Sequence, residues 1–331
     1  MPGRTALLQT EPSGDTVLPG PLLADFDRET SRFSLFSAER RTARFLRANG
    51  VTTVMAEYGP VGVKIAAAAR RAGCRLFVHF HGYDATKEAL RPGVPDQYRA
   101  LFAQADGVFV PSRFLGGNLQ ALGCPPEKIT VSPCGVDLTS FKPSQRDPGR
   151  LLAVGRFVEK KSPLSTLQAL EIALQQDASL HLDMVGEGPL LAEAKAFAAA
   201  HLGASVTFHG ALPHAAVRAL TARAMIFLQH SVTATSGDCE GLPVAILEAM
   251  SAEIPVVSTR HSGIPEAVEH GIQGLLVEEH DVRGMADAIL TLARDPALCA
   301  RMGRAGRARV AAEFTADHTV RILRKAMNLP G

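Results

Sequence analysis

The sequence predicts an α/β protein built from two Rossmann-like, doubly wound domains. Short apolar segments typical of strands alternate with single helical segments, a pattern that predicts parallel sheets with crossover helices on both faces. The alternation stops in a polar segment rich in proline and glycine, residues 142–149, and then restarts. A length of 331 residues suits two such domains.

The first half has four regular predicted strands, preceded by a loop-like region in which residues 5–10 could form one further short strand. The strands cover residues 52–58, 74–82, 107–112 and 129–133. The helices cover residues 33–48, an alanine-rich segment that ends at Ala72, 96–104 and 113–122. Because fewer strands are predicted here than in the second half, we expect a first domain shortened at its N-terminus.

The second half reads as a complete doubly wound unit. Its predicted strands cover residues 150–154, 179–186, 206–210, 225–229, 255–259 and 274–277. Its predicted helices cover residues 163–176, 189–201, 213–222, a segment that begins near Pro243, 282–294, 296–313 and 315–326. We therefore expect an N-terminal domain over 1–145, a C-terminal domain over 146–314 and a final helix, 315–331, that packs back on the first domain.

Composition favours an ordinary protein of the cytoplasm. The formal net charge of +2 gives no reason to expect a nucleic-acid partner. The five cysteines are odd in number and form no CxxC pair, which argues against a disulfide framework and structural zinc. No signal peptide follows Met1, and no apolar run is long enough to span a bilayer.

The segment from Gly237 to Pro255 predicts an anion site. Pro243 suits the start of a helix, and the backbone N–H groups of Gly241 and Leu242 would point out of that helix end, where a phosphate binds well. Glu240 lies just outside the helix and Glu248 inside it. The alternative is a surface helix with two solvated glutamates.

The loops after other strands add to this site, since ligands of doubly wound sheets bind beyond the carboxyl ends of the strands. Arg156 and Lys161 follow the strand that ends at Val154, and two cations beside a helix start would hold a diphosphate. Gly186 and Gly188 follow the next strand and would line a nucleotide pocket with backbone.

Three features of the first half carry weaker signals. His79 and His81 share one face of a strand end, with Asp84 nearby, but a metal pair lacks a third ligand, so we predict that His81 touches a ligand instead. Arginines recur along one face of the helix over 33–48, which predicts a solvated face or contact with anionic lipid headgroups. Asp25 and Asp27 have a metal-binding spacing within a polar stretch, and we predict a solvated loop there.

These segments together resemble the group 1 glycosyltransferases, the retaining transferases of glycosyltransferase family 4 with the GT-B fold. The resemblance extends from about residue 50 to the end. It rests on the segments HFHGYD (79–84), VPSRF (110–114), SPCGVD (132–137), GRFVEKK (155–161), VGEGP (185–189), EGLPVAILEAM (240–250) and SGIPEAV (262–268).

The resemblance implies a role for each matching residue. Two domains would face a cleft that binds a nucleotide-sugar donor. Arg156 and Lys161 would bind the donor diphosphate together with the backbone of Gly241 and Leu242. Glu240 and His81 would face the donor sugar at the transfer site, and Glu248 would bind the ribose hydroxyls.

The implied activity is transfer of a sugar, with retention, from a UDP- or GDP-sugar to a polysaccharide or lipid-linked glycan acceptor. Because Arg156, Lys161 and the helix start would face the charge that grows on the leaving diphosphate, we expect neither a metal nor another cofactor. Two alternatives stay open: a catalytically weak nucleotide-sugar-binding partner protein, and a nucleotide-sugar epimerase. The basic first domain also predicts a peripheral contact with the inner face of a membrane.

Overall fold

The computed structural model describes residues 4–7 and 32–329, and contacts divide the chain into two compact units. Unit 1 comprises Met1–Ser132 and Val320–Gly331, and unit 2 comprises Pro133–Thr319. The pair Asp25 and Asp27 lies outside the described residues, so its predicted loop stays a prediction.

Unit 1 holds a five-stranded parallel sheet in the order β1-β2-β3-β4-β5. Its strands are β1 Arg4–Leu7, β2 Val51–Glu57, β3 Arg75–His79, β4 Gly107–Val110 and β5 Ile129–Val131. Its helices are α1 Arg32–Ala48, α2 Gly59–Ala72, α3 Val94–Gln104 and α4 Arg113–Ala121. The core between the sheet and these helices is aliphatic and aromatic, with Phe80, Tyr98 and Phe102 fully buried.

Unit 2 holds a six-stranded parallel sheet in the order β11-β10-β9-β6-β7-β8. Its strands are β6 Arg150–Val154, β7 His181–Val185, β8 Val206–Phe208, β9 Ile226–Gln229, β10 Val256–Thr259 and β11 Gly274–Val277. Its helices are α5 Pro163–Leu174, α6 Leu191–His201, α7 His214–Arg223, α8 Val244–Ser251, α9 Ile264–Ala267, α10 Val282–Arg294 and α11 Pro296–Glu313. Helix α12, Ala316–Ala326, follows.

The predicted fold class is confirmed, because each unit is a parallel sheet with interleaved helices. The largest difference lies in the strand predicted over 74–82, which ends at His79. The chain turns there because the buried carboxylate of Asp84 accepts hydrogen bonds from the backbone N–H groups of His81 (2.9 Å) and Gly82 (3.1 Å). These donors are therefore used in a local turn and do not extend the ladder.

The boundary between the units falls between Ser132 and Pro133, earlier than the predicted one. Residues that follow belong to unit 2 because they pack there: Val136 and Phe141 are buried in its core, and the Val136 N–H donates to the Phe314 carbonyl at 2.9 Å. At the other end, Leu323 and Met327 pack within unit 1 against Met55, Phe77 and Phe109. Among the described helices, none combines the length and apolar character that a membrane span needs.

Candidate functional site

The strand order of unit 2 marks one edge of its sheet as the place for a ligand. β6 pairs with β7 on one side and β9 on the other, so the chain leaves β6 in one direction and returns to its other side later. Such a reversal opens a crevice at the carboxyl ends of the two central strands. The loops that begin there are the one after Val154, which holds Arg156 and Lys161, and the one after Gln229, which holds Glu240.

Lys161 and Glu240 meet in this crevice. The Lys161 ammonium lies 3.4 Å from Glu240 Oε1 and donates to Gln229 Oε1 at 3.2 Å. Burial lowers the pKa of Lys161, and the Glu240 carboxylate works against that shift. Glu240 Oε1 is buried, and no residue in the described part of the chain forms a hydrogen bond with it, so the pair is a Coulombic contact with poor hydrogen-bond geometry. Cation and carboxylate therefore both keep bonding capacity for a ligand.

Lys160, the neighbour of Lys161, has a different task. Its ammonium is buried, donates to Asp238 Oδ1 at 2.8 Å and to the Cys239 carbonyl at 3.1 Å, and its own carbonyl accepts from the Val232 N–H. Lys160 thus fixes the segment that leads into Glu240. The sequence shows two adjacent lysines but nothing that separates the buried structural one from the other.

Helix α8 begins at Val244, one residue after Pro243, which occupies the N-cap position without a side-chain cap. Within the described residues, the N–H groups of Gly241 and Leu242 have no acceptor. Uncapped N–H groups and the positive end of the helix dipole together favour an anion. The anion site predicted at this helix start therefore has its donors available.

His261, which sequence reasoning missed, holds the Glu240 backbone. Its Nε2 accepts the Glu240 N–H at 3.1 Å, so the proton is on Nδ1, which donates to Glu279 Oε1 at 2.6 Å. Glu279 also accepts the Thr233 N–H at 2.8 Å. Burial acts to raise the pKa of Glu279, but these hydrogen bonds outweigh it and lower that pKa. A chain of hydrogen bonds thus orients the loop that presents Glu240.

The loop of Arg156 is shaped by the two predicted pocket glycines. A side chain at Gly186 (φ 136°) would collide with the Gly155 carbonyl, and one at Gly188 (φ 153°) with the Phe157 carbonyl. The space that these glycines leave is therefore filled by backbone, which lets the loop pack closely. Their part in a nucleotide pocket stays a prediction. Arg156 itself is exposed, and no described residue forms a hydrogen bond or ion pair with its guanidinium.

Glu248 lies on the second turn of α8 and is half-buried. Its nearest charged partner is His214 Nε2 at 3.8 Å, too far for a hydrogen bond. Burial raises the pKa of Glu248, and His214 opposes that shift. Elsewhere in the described chain no donor reaches this carboxylate, so it is placed to accept hydrogen bonds from a ligand.

His81, in unit 1, is held by a glutamate that the sequence did not single out. Glu57 Oε2 lies 2.5 Å from His81 Nε2 and 3.5 Å from His79 Nδ1. Since a carboxylate can only accept, His81 carries its proton on Nε2. Burial acts to raise the pKa of Glu57, but the hydrogen bond from His81 and the two imidazole charges lower it overall.

Two family descriptions match this chain. "Glycosyl transferases group 1" matches residues 138–309, just over half of the chain. The chain belongs to the group 1 glycosyltransferases. "Glycosyltransferase Family 4" matches residues 4–140, so the similarity begins well before residue 50, where we expected it to start. The strand β1 in that added part pairs with β2, which explains why it belongs to the same domain.

Two relatives by sequence support this family membership, and a solved structure shares the fold. The chain is 38% identical over 240 residues to the amylovoran biosynthesis glycosyltransferase AmsK of Erwinia amylovora. The aligned region covers 71% of this chain and 59% of that protein. The chain is 30% identical over 274 residues to a GDP-mannose-dependent phosphatidylinositol monomannoside mannosyltransferase of Mycolicibacterium smegmatis, covering 78% and 69%. A crystal structure of Anabaena HepE with UDP and glucose superposes with a TM-score of 0.78 at 18% identity, covering 99% of each chain.

These comparisons differ in what they support. The chain spans about three fifths of the length of the first curated relatives that it matches. The likeness to HepE, at 18% identity, shows the fold alone.

Proposed function

We propose that this chain is a retaining glycosyltransferase that moves a sugar from a nucleotide-diphosphate sugar to a polysaccharide or lipid-linked glycan acceptor. The observation that carries the proposal is the group at the carboxyl edge of the unit 2 sheet. There the half-buried Lys161 lies 3.4 Å from the buried, incompletely bonded Glu240, directly before the uncapped start of α8. A cation, a carboxylate and helix N–H groups match a phosphate joined to a polyhydroxylated ring.

The donor diphosphate would bind to Arg156, Lys161 and the N–H groups of Gly241 and Leu242. Arg156 offers a guanidinium that no described residue occupies, and arginine binds phosphate through two hydrogen bonds. Glu240 would accept hydrogen bonds from the donor sugar, and Glu248 from the ribose hydroxyls. For His81, contact with the sugar stays a prediction from the family resemblance.

The proposed mechanism depends on charge that develops on the leaving group. As the bond between the anomeric carbon and the diphosphate breaks, the electron pair goes to the diphosphate oxygen, where the two cations and the helix dipole stabilise it. The acceptor hydroxyl attacks from the same face, and the leaving phosphate takes its proton. Because the protein cations neutralise the diphosphate, the reaction would need no metal.

The names of similar proteins indicate which donor and acceptor classes to test first. One solved relative by fold is a complex with UDP and glucose, and one sequence relative is named as GDP-mannose-dependent. UDP- and GDP-sugars are therefore the first donors to test. AmsK is named for biosynthesis of a polysaccharide and the mycolicibacterial enzyme for a phosphatidylinositol glycolipid, which supports a glycan or lipid-linked acceptor.

A catalytically weak binding protein is the second candidate. It would use the same diphosphate contacts in unit 2 without chemistry. The buried contact between Lys161 and Glu240 favours an enzyme, because nucleotide binding alone does not require a partly desolvated carboxylate at the sugar end of the site.

The test is a screen of UDP- and GDP-sugars by thermal shift, followed by donor hydrolysis and transfer assays with and without EDTA. We expect one donor to raise the unfolding temperature and to be consumed, and EDTA to leave the rate unchanged. Activity that EDTA abolishes and magnesium or manganese restores would contradict metal independence. Donor binding without hydrolysis or transfer would favour the binding protein.

A further inference from the structure

A pocket at the amino edge of the unit 2 sheet lies at the opposite end of the strands from the candidate donor site. Its wall includes Met225 and Pro255, the residues that directly precede β9 and β10. The segment before β6 and the residues where α10 ends and α11 begins complete the wall. The pocket has a volume of about 300 Å³. Since an apolar cavity of about 150 Å³ holds benzene, this space accommodates a ring with a short substituent.

Most of the wall is apolar. Seven of the ten lining residues are proline, alanine, methionine or cysteine. Cys299 adds neither a charge nor a free donor, because its thiol donates to the Met225 carbonyl at 3.3 Å and burial raises its pKa to about 11. The pocket therefore suits a ligand with an apolar body that a small number of polar groups orient.

Arg146, one of the polar lining residues, is occupied by backbone. Its guanidinium donates to the carbonyls of Thr221 and Ala222, each at 3.0 Å, and to the Ala252 carbonyl. These carbonyls lie at the C-terminal ends of α7 and α8, where the helix dipole is negative. Burial lowers the pKa of Arg146, and Glu253 opposes that shift. The positive charge of Arg146 thus serves two helix ends inside the protein.

Glu253, the other charged residue of the wall, is half-buried and keeps its bonding capacity. Within the described part of the chain, no residue forms a hydrogen bond or an ion pair with its carboxylate. Its backbone has φ 64°, the left-handed conformation in which glycine most often ends a helix. Its N–H donates to the Met250 carbonyl at 3.0 Å, and the Ile254 N–H donates to the Ala249 carbonyl at 3.0 Å, which completes a Schellman motif. A glutamate here strains the backbone and gains no internal contact for its charge.

We propose that this pocket, which we call the amino-edge pocket (with Arg146, Met225, Glu253, Ala293 and Cys299 in its wall), binds a small amphipathic cation, a primary amine on an apolar body of about one ring. The ammonium pairs with the Glu253 carboxylate, and the apolar body removes the wall from water. Helices α7, α8 and α10 all end at this edge, and their negative ends favour a cation over an anion. The pocket shares no residue with the candidate donor site, so its ligand is separate from the sugar donor.

NMR titration of the full chain, isotope-labelled at the methionine methyl groups, tests the proposal and requires no nucleotide donor. The chain has eight methionines, and the Met225 signal, assigned by its loss in Met225→Leu, reports on the pocket. Phenethylamine should shift this signal with a Kd of about 1 mM, as expected for so small a ligand. Phenethyl alcohol, in which a hydroxyl replaces the ammonium, should bind about tenfold more weakly, and hydrocinnamate, an anion, more weakly still.

Two variants separate the contributions of charge and of space. Glu253→Gln should weaken phenethylamine binding about tenfold and keep phenethyl alcohol binding within about twofold, because it removes the charge and keeps the shape. Ala293→Leu fills the pocket and should abolish the response of Met225 to both compounds. Glu193→Gln, at an exposed position on α6, is the matched control and should change neither affinity. The other methionine signals establish that each variant is folded.

Three results would overturn the proposal. The first is an unchanged Met225 signal with all three compounds at up to about 10 mM. The second is tighter binding of hydrocinnamate than of phenethylamine. The third is phenethylamine binding that Glu253→Gln leaves unchanged or that Ala293→Leu retains.

Discussion

Each unit holds a glutamate beside side-chain nitrogen atoms, but the hydrogen bonding of these two glutamates differs. In unit 1, Glu57 Oε2 lies 2.5 Å from His81 Nε2 and 3.5 Å from His79 Nδ1. In unit 2, Glu240 Oε1 has only the 3.4 Å contact with Lys161 and makes no hydrogen bond to the described residues. The internally bonded glutamate orients a neighbour, whereas the incompletely bonded one is placed to receive a ligand.

The same contrast separates adjacent residues. Lys160 uses its donors on Asp238 and Cys239, and Lys161 keeps donors for a ligand. Free hydrogen-bonding capacity in a buried position thus indicates the site better than residue type does, because burying an unsatisfied polar group costs stability unless a ligand completes it.

The largest effect on stability is expected from replacing Lys160, the lysine whose donors are used inside the protein. Lys160→Met should destabilise unit 2 by about 3 kcal/mol, since it leaves a carboxylate and a carbonyl without their buried cation. The free energy of unfolding, measured with urea, checks this. Lys195→Met, a change at an exposed position on α6, is the matched control and should have almost no effect. Equal stability of the two variants would contradict the structural role of Lys160.

Both units hold a buried histidine whose pKa is lowered. Burial lowers the pKa of His79 in unit 1 and of His230 in unit 2 to about 4. In the unfolded chain these histidines bind protons near pH 6.5, whereas in the folded state they stay neutral until the pH approaches 4. The free energy of unfolding therefore falls as the pH drops from 6.5 towards 4. At about pH 5 each histidine should cost roughly 2 kcal/mol relative to pH 8.

His230→Gln tests the predicted loss of stability on acidification. Gln can still accept the His280 N–H, which His230 Nε2 accepts at 3.0 Å, but it does not titrate. Urea unfolding at pH 8 and pH 5 should show a smaller loss of stability on acidification for the variant. An unchanged pH dependence would show that His230 does not contribute it.

A smaller effect, on donor turnover, is expected when the positioning of Glu240 is disturbed. His261→Leu removes the acceptor of the Glu240 N–H and should lower kcat/KM for the donor about tenfold, near 1.4 kcal/mol. We expect most of the loss in kcat, because the nucleotide contacts do not involve His261. A loss confined to thermal stability, with kcat/KM unchanged, would leave His261 with a purely structural role.

Much of the fold was predictable from sequence because the spacing of the apolar residues and the positions of glycine and proline indicate the same element boundaries. β6, β11, α10 and α11 have the predicted bounds, and Gly73 ends α2 in the left-handed conformation (φ 77°). The end of β3 was missed because it depends on Asp84, whose carboxylate takes backbone N–H groups that a strand would otherwise use. No local sequence pattern predicts this competition between the Asp84 carboxylate and the strand ladder for backbone N–H groups.

Sequence reasoning singled out residues that the structure brings to the carboxyl edge of the unit 2 sheet, but it did not find the residues that hold them in place. Glycine, proline and charge after each strand pointed to Arg156, Lys161 and Glu240. Glu57 and His261 escaped notice because their roles arise from contacts between segments far apart in sequence, as the distances from Glu57 to His81 and from His261 to Glu240 show. The neighbouring loop occupies the space that side chains at Gly186 and Gly188 would need, and the part of these glycines in a nucleotide pocket stays a prediction.

The central claim is that unit 2 binds the diphosphate through Arg156 and the sugar through Glu240, and calorimetric titration of UDP and GDP tests it most directly. Arg156→Ala should weaken nucleotide binding about tenfold to a hundredfold, as expected for a lost charge-assisted contact. Glu240→Gln should keep nucleotide affinity within about twofold while turnover falls, and Arg283→Ala on α10 should change neither. A loss of nucleotide affinity in Glu240→Gln as large as in Arg156→Ala would contradict the account.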